Sequence, residues 1–474
     1  MSRIVNATKW TTVATIVTIL LTILQISILT RYIEPSTYGY FAIVNLAIEV
    51  FTAMALGGIS SFVIYKKEIS QRGTNTIFLM VACSGIAAFL FFYFVGPMLT
   101  SLLGYPILEG PMQLAAILLP LSALSSQYQA IGLKQFSHDK VAKIEITAKS
   151  LSFLIAINTT ELEIFCLLVS YISYYIFRLI GLIIVFSKVV NFSPSFERAI
   201  IKEAFNYGAF EFGTQTLNIV RRQLDVLILS LTLSANDLGI YHVIKQLASR
   251  PAMAVQPIVN KVALPTFAGL QSNANRLRET YLDFMGAQSF VLAFFYVPII
   301  LFSDLVASLL LGDEYASQYI VLSLLGAFWF IRVGSSNLIG PIVLSSGKTK
   351  ANFYWNLGIM IPNIAVIYCS SYFGVIHLAV ALIIFQLLVI PTANKLVVGQ
   401  VLSIPLAKIA LSLAIPFLLL LIPLILLKML FLHVTIDTFL VRESIVGLVT
   451  LLVSFLCFKY ISFIRDGLLR LKKG

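Results

Sequence analysis

The sequence predicts an all-α polytopic membrane bundle of about fourteen transmembrane helices, built as two six-helix lobes with two extra C-terminal helices. Three observations predict it. The 474 residues are 59% hydrophobic and 11% charged, with a mean hydropathy of +0.94. A soluble domain is roughly a quarter charged, so most of this surface has to meet lipid. Apolar runs of crossing length, roughly 20 residues each, recur along the whole chain. Lysine and arginine, finally, alternate between successive loops. A β-barrel is the other fold that satisfies its backbone in lipid, but it needs alternating apolar and polar residues. The stretch from Ile415 to Leu427 is apolar on every face.

The predicted spans are 10–31, 38–65, 75–95, 111–131, 144–158, 164–187, 205–231, 238–262, 281–302, 317–346, 354–372, 375–398, 408–430 and 444–463. The first follows Arg3 and Lys9 and lacks a small-residue cleavage pattern, so it reads as an uncleaved helix. With the N-terminus inside, the cytoplasmic segments hold the basic residues, from Lys66, Lys67 and Arg72 to Arg465, Arg470, Lys472 and Lys473. The opposite loops carry Glu109, Glu161, Glu163, Asp237, Asp304, Asp313 and Glu314, with Arg442 the exception. Both termini are therefore expected in the cytoplasm. The net charge of +12 is spread by topology rather than gathered in one patch, which argues against nucleic acid as a partner. The four cysteines lie in apolar stretches without metal-ligand spacing, so they read as small buried hydrophobes and no metal is expected.

LTRYIEPSTYGYF, Leu29 to Phe41, aligns without a gap with LSLTLSANDLGIY, Leu229 to Tyr241, at an offset of 200. SLLGY (Ser101 to Tyr105) is echoed by SLLLGDEY (Ser308 to Tyr315). These echoes divide the chain into an N-lobe, 1–190 (spans 1–6), a C-lobe, 191–400 (spans 7–12), and 401–474, two appended helices and a basic cytoplasmic tail. Six is even, so the lobes share one orientation, as in parallel-repeat transporters.

Ionisable residues inside the spans are few, and each costs a few kcal/mol or more at mid-bilayer unless it faces the bundle interior or a wet cavity. Glu145 and Lys149 have i,i+4 spacing, as do Arg221 and Asp225, and Arg222 precedes Asp225 by three. Arg178, Lys245, Arg250 and Arg332 have no acid at those spacings, and Tyr174, Tyr175, Tyr241, Phe328 and Trp329 lie near them. Guanidinium forks match phosphate oxygens, and aromatic faces pack on sugar rings. Arg178, Arg221, Arg222, Lys245, Arg250 and Arg332 are accordingly the candidate substrate-binding residues. The alternative is that they pair with acids or helix-end carbonyls and hold the fold. Glu49 and Glu211 lack local cationic partners. With Asp225 they are candidates for coupling to H⁺ or Na⁺, or plain salt-bridge partners, and the residues leave both readings open. No catalytic residue and no bound cofactor is expected.

TRYIEPSTYGYFAIVNLAI (Thr30 to Ile48) resembles the segment after the first helix of polysaccharide flippases: an arginine, a turn with proline, then glycine and aromatic residues. LDVLILSLTLSANDLGIYHVIKQLASRP (Leu224 to Pro251) is similar to their seventh and eighth helices. The family is that of the Wzx-type flippases, in the multidrug/oligosaccharidyl-lipid/polysaccharide exporter superfamily. The resemblance implies two six-helix lobes around a central cavity. It also implies flipping of undecaprenyl-diphosphate-linked oligosaccharide units for O-antigen, capsule or exopolysaccharide across a bacterial inner membrane, by ion-coupled alternating access. The implied partners are that glycan, membrane lipids and other polysaccharide assembly proteins. Arg31, Gly39, Asp225, Gly239 and Tyr241 match the pattern as turn residues. A drug or cation antiporter of the same superfamily would favour acidic cavity residues. A membrane polysaccharide polymerase or glycosyltransferase would need a large loop or a DxD motif, which this sequence lacks. No P-loop or HExxH occurs either.

Overall fold

The computed structural model describes the backbone of residues 2–56, 59–66, 69–102, 104–187, 196–433 and 439–460; the basic tail lies outside these residues. The longer regular elements described are all α-helices. They are α1 (Ser2–Leu29), α2 (Pro35–Leu56), α3 (Ile59–Tyr65), α4 (Gln71–Leu102), α5 (Glu109–Ala115), α6 (Leu118–Lys134), α7 (His138–Asn158), α8 (Ile164–Phe186), α9 (Arg198–Thr232) and α10 (Ala235–Gly269). Then follow α11 (Ala274–Leu301), α12 (Ser303–Leu310), α13 (Asp313–Ala316), α14 (Tyr319–Ser336), α15 (Ile339–Ser345), α16 (Thr349–Ser371), α17 (Val375–Leu396), α18 (Leu406–His433) and α19 (Phe439–Tyr460).

Among the described residues, nine helical stretches are long and apolar enough to cross a membrane, from Lys9–Leu29 to Leu406–Leu430, and Ile445–Leu456 is a shorter apolar helix. The predicted spans 144–158, 205–231 and 238–262 are also helical, within α7, α9 and α10. Their intramembrane charges lower their apolarity. Large apolar side chains such as Leu20, Phe94, Ile184 and Leu426 are exposed. That is the expected outer surface of a bundle whose solvent is as apolar as leucine.

Local chemistry sets the helix boundaries. Ser234 caps α10, accepting from the Asp237 amide at 3.1 Å while its hydroxyl donates to Asp237 Oδ2 at 2.8 Å, a reciprocal capping pair. Asn273 caps α11 by accepting from the Arg276 amide at 3.1 Å. Gly104, at φ 81°, turns the chain after α4 in a conformation that favours glycine. The predicted spans 111–131 and 317–346 are each broken in two, at 116–117 and at 337–338. Proline explains both positions, because its ring lacks an N–H and crowds the carbonyl four residues back. Pro120 acts on Ala116 and Pro341 on Asn337, so each break falls where its proline removes a rung.

Chain contacts divide the protein into two compact units, Met1–His242 and Val243–Gly474. In the first, α7 packs on α1 and α8, α6 on α4 and α8, and α2 on α4, α6 and α9. Phe51 of α2 meets Phe92 of α4 with ring centroids 4.6 Å apart. The loop before α4 is tied to the start of α9: Lys66 Nζ pairs with Glu203 Oε2, and Ser70 Oγ donates to Glu197 Oε2 at 2.7 Å. In the second unit α11 is central, packing on α14 and α18. Phe330 of α14 and Phe417 of α18 stack 4.7 Å apart, and Leu420 and Leu424 are fully buried, so α18 belongs to the core of this unit.

Candidate functional site

Arg178 of α8 is only 8% exposed. Its Nη1 donates to Ser125 Oγ of α6 at 3.3 Å, and its Nη2 donates to Gln129 Oε1 of α6 at 2.5 Å. Glu145 Oε1 of α7 lies 3.5 Å from Nη2, and the same carboxylate oxygen accepts from Gln129 Nε2 at 2.9 Å. The rings of Tyr174 and Tyr175 flank the guanidinium at 6.0 Å. A buried charge persists only when it is paired and hydrogen-bonded. Here three helices supply the partners, so Arg178 staples α6, α7 and α8. Lys149, one turn beyond Glu145, reaches another helix as well: its Nζ donates to Gln25 Oε1 of α1 at 2.7 Å, and Gln25 Nε2 donates to Ser170 Oγ of α8 at 2.8 Å.

A second ion pair joins α9 to α2. Arg222 Nη2 lies 2.8 Å from Glu49 Oε2, and Asn45 Nδ2 donates to the other Glu49 oxygen at 3.4 Å. The Arg222 side chain is 58% exposed and that of Glu49 28%, so this pair is far more open than Arg178. Nearby in sequence, Asp225 Oδ2 accepts the Tyr241 hydroxyl at 2.6 Å, linking α9 to α10. The side chains of Arg221 and Glu211 lie outside the described residues.

In the second unit, Arg250 Nη2 donates to Gln246 Oε1 at 3.1 Å, one turn back on α10. Lys245 is half-buried on the same helix. Arg332 of α14 is half-buried, with its guanidinium carbon 5.1 Å from the Trp329 ring centroid and 5.6 Å from that of Phe328. That is cation–π range.

Buried amides are the feature that charge-based reading passes over. Gln288 of α11 is fully buried; its Nε2 donates to the Val333 carbonyl at 2.7 Å and its Oε1 accepts from Asn337 Nδ2 at 2.7 Å. Gln386 of α17 donates to Ser336 Oγ at 2.9 Å. These bonds gather around the end of α14, beside the break before Pro341. A lone glutamine in an otherwise apolar span is the signal that would have found them.

The polysaccharide biosynthesis protein family matches residues 28–320, more than half of the chain. The protein is a member of that family. Similarity beyond the family pattern runs nearly end to end. The teichuronic acid biosynthesis protein TuaB of Bacillus subtilis is 23% identical over 413 residues, covering 86% of this chain and 84% of TuaB. The lipopolysaccharide biosynthesis protein WzxC of Escherichia coli is 21% identical, covering 88% and 85%. Among solved structures, the lipid II flippase MurJ in an inward closed conformation superposes with a TM-score of 0.72 at 14% identity, over 96% of this chain and 99% of MurJ. This polysaccharide biosynthesis protein thus has the fold of a solved flippase, as the resemblance of its two signature segments implies.

Proposed function

We propose that this protein flips an undecaprenyl-diphosphate-linked oligosaccharide from the cytoplasmic to the outer leaflet of a bacterial inner membrane by alternating access, with both termini in the cytoplasm. Family membership supports the class of activity. The relatives are named for teichuronic acid and lipopolysaccharide biosynthesis, and the structural neighbour for flipping lipid II. One observation in this chain carries the head-group chemistry. Arg332 lies within a stretch long and apolar enough to cross a membrane, beside the Trp329 and Phe328 rings. A guanidinium beside aromatic faces offers charge to a diphosphate and a stacking surface to the first sugar.

The binding role falls on Arg332, Arg250, Lys245, Arg222 and Arg221, whereas Arg178 acts through the packing of α6, α7 and α8. Coupling to H⁺ or Na⁺ would act on Glu49, Glu211 or Asp225. For Glu49 and Asp225, an incoming ion would compete with Arg222 and the Tyr241 hydroxyl.

The test is genetic and chemical together. Deleting the gene should abolish surface polysaccharide and leave lipid-linked repeat units on the cytosolic side. Wild-type protein should restore the polysaccharide, and Arg332→Ala, present at equal level in the membrane, should not. Full restoration by both Arg332→Ala and Arg250→Ala would remove the binding role, and a deletion strain with unchanged polysaccharide would remove the function.

A further inference from the structure

The starts of α2 and α10 belong to the two stretches that align at an offset of 200 residues, and they meet in space. A Cβ built on Gly39 would lie 1.9 Å from the Ala235 carbonyl oxygen, and one built on Gly239 would lie 1.7 Å from the Pro35 carbonyl oxygen. The relation is reciprocal. Each glycine abuts the first residue of the other helix, and positions 35 and 39 map onto 235 and 239 by the same step. Turns that resemble each other by chance would not pair position for position, so the contact has the local two-fold expected of a duplication.

Its physical character is unusual for a membrane bundle. Real Cβ atoms essentially never approach within 3.0 Å, so any side chain at either glycine forces the two backbones apart. The contact is backbone on backbone, of the kind glycine permits between helices, and Cα–H···O attraction across such contacts is weak. Two helix N-termini also meet here, and their like partial charges oppose the approach. A junction of this kind closes without a gap yet parts without drawing side chains from pockets. Beside it, the Tyr105 hydroxyl donates to the Ser230 carbonyl at 3.0 Å, joining the end of α4 to that of α9.

On the orientation proposed above, both helix starts lie at the outer face. We infer that the Gly39–Gly239 crossing is the outer gate of the transport path, shut in this structure and parted to release cargo outward. The inference rests on the alternating-access reading, and the following experiment separates the two. In a background with Cys83, Cys166, Cys369 and Cys457 replaced, Thr37→Cys places a thiol at a position buried beside the crossing. A membrane-impermeant maleimide applied to spheroplasts should label it several-fold more when Gly39→Ala or Gly239→Ala is added. Separately, Ser36→Cys with Asn236→Cys, joined by a short reducible bismaleimide, leaves both glycines intact. Cross-linking should abolish surface polysaccharide export and reduction should restore it. Labelling unchanged by either alanine, or export that continues across the cross-link, would overturn the gate. Labelling needs no assumption about cargo, so a gate that opens in a protein exporting no glycan would fault the flippase reading alone.

Discussion

At the scale of single residues, ionisable groups within the helices are separated by their exposure into enclosed and open ones. Arg178, enclosed by Ser125, Gln129 and Glu145, is of the first kind. Arg178→Ala should lower stability by about 3–5 kcal/mol, the usual cost of stranding one partner of a buried pair, read as a fall in the thermal midpoint in detergent. Arg178→Lys should rescue little, because an ammonium cannot reach two acceptors and an acid with one planar fork. Arg222 is of the second kind. With most of its side chain exposed, Arg222→Ala should leave stability within about 1 kcal/mol, while surface polysaccharide falls. Unchanged polysaccharide would return Arg222 to a structural role. The identity of these residues was legible in the sequence, since any charge inside an apolar run stands out. Their partners were not. Glu145 and Lys149 have ideal same-helix spacing, yet Glu145 is taken up by Arg178 on another helix, and Glu49 pairs with Arg222 across 173 positions. Helix periodicity reports neighbours on one face and carries nothing about which faces meet.

At the scale of elements, the apolar runs announced helices at the right places, but not where those helices break. Proline at 120 and at 341 was visible, and the interruptions lie one turn upstream, at the carbonyls that the rings displace. Helix α10 responds differently to proline. Past Pro251, the Tyr296 hydroxyl of α11 donates to the Ala248 carbonyl at 2.9 Å and accepts from the Ala252 amide at 3.2 Å. A side chain inserted into the ladder in this way is a recognised cause of helix bending. Tyr296→Phe would leave both backbone groups without this partner in a buried setting. It should cost about 1–3 kcal/mol, measured as a lower thermal midpoint than that of Tyr281→Phe, a tyrosine buried on the same helix. Equal effects of the two substitutions would mean that the inserted hydroxyl contributes nothing of its own.

At the scale of the whole molecule, the membrane class, the helical fold and the polysaccharide biosynthesis family were legible from composition, charge alternation and two signature segments. How the C-terminal helices pack within their own unit was not. Sequence alone sets residues 401–474 apart as appended, since the repeat accounts for twelve spans without them. In the structure, Leu413 of α18 fills the space above Gly334, and α18 runs along α11, the central helix of its unit. Truncation after residue 400 should therefore reduce protein in the membrane rather than yield a working smaller transporter, with immunoblot level as the measure. Leu420→Ala, at a fully buried site, should cost about 2–3 kcal/mol, near the low end for leucine truncation. The reason is that lipid offers the unfolded helix as apolar a home as the core does. A stable, active truncation would show α18 to be dispensable padding.

The Tyr296 insertion constrains how such a molecule can move. A rod that borrows a rung from its neighbour cannot straighten or bend while that neighbour stays still, because the borrowed hydroxyl would be left behind. The stretch of α10 around Pro251 and the body of α11 are thus yoked as one strut, and flexing during transport has to be sought in segments outside that yoke.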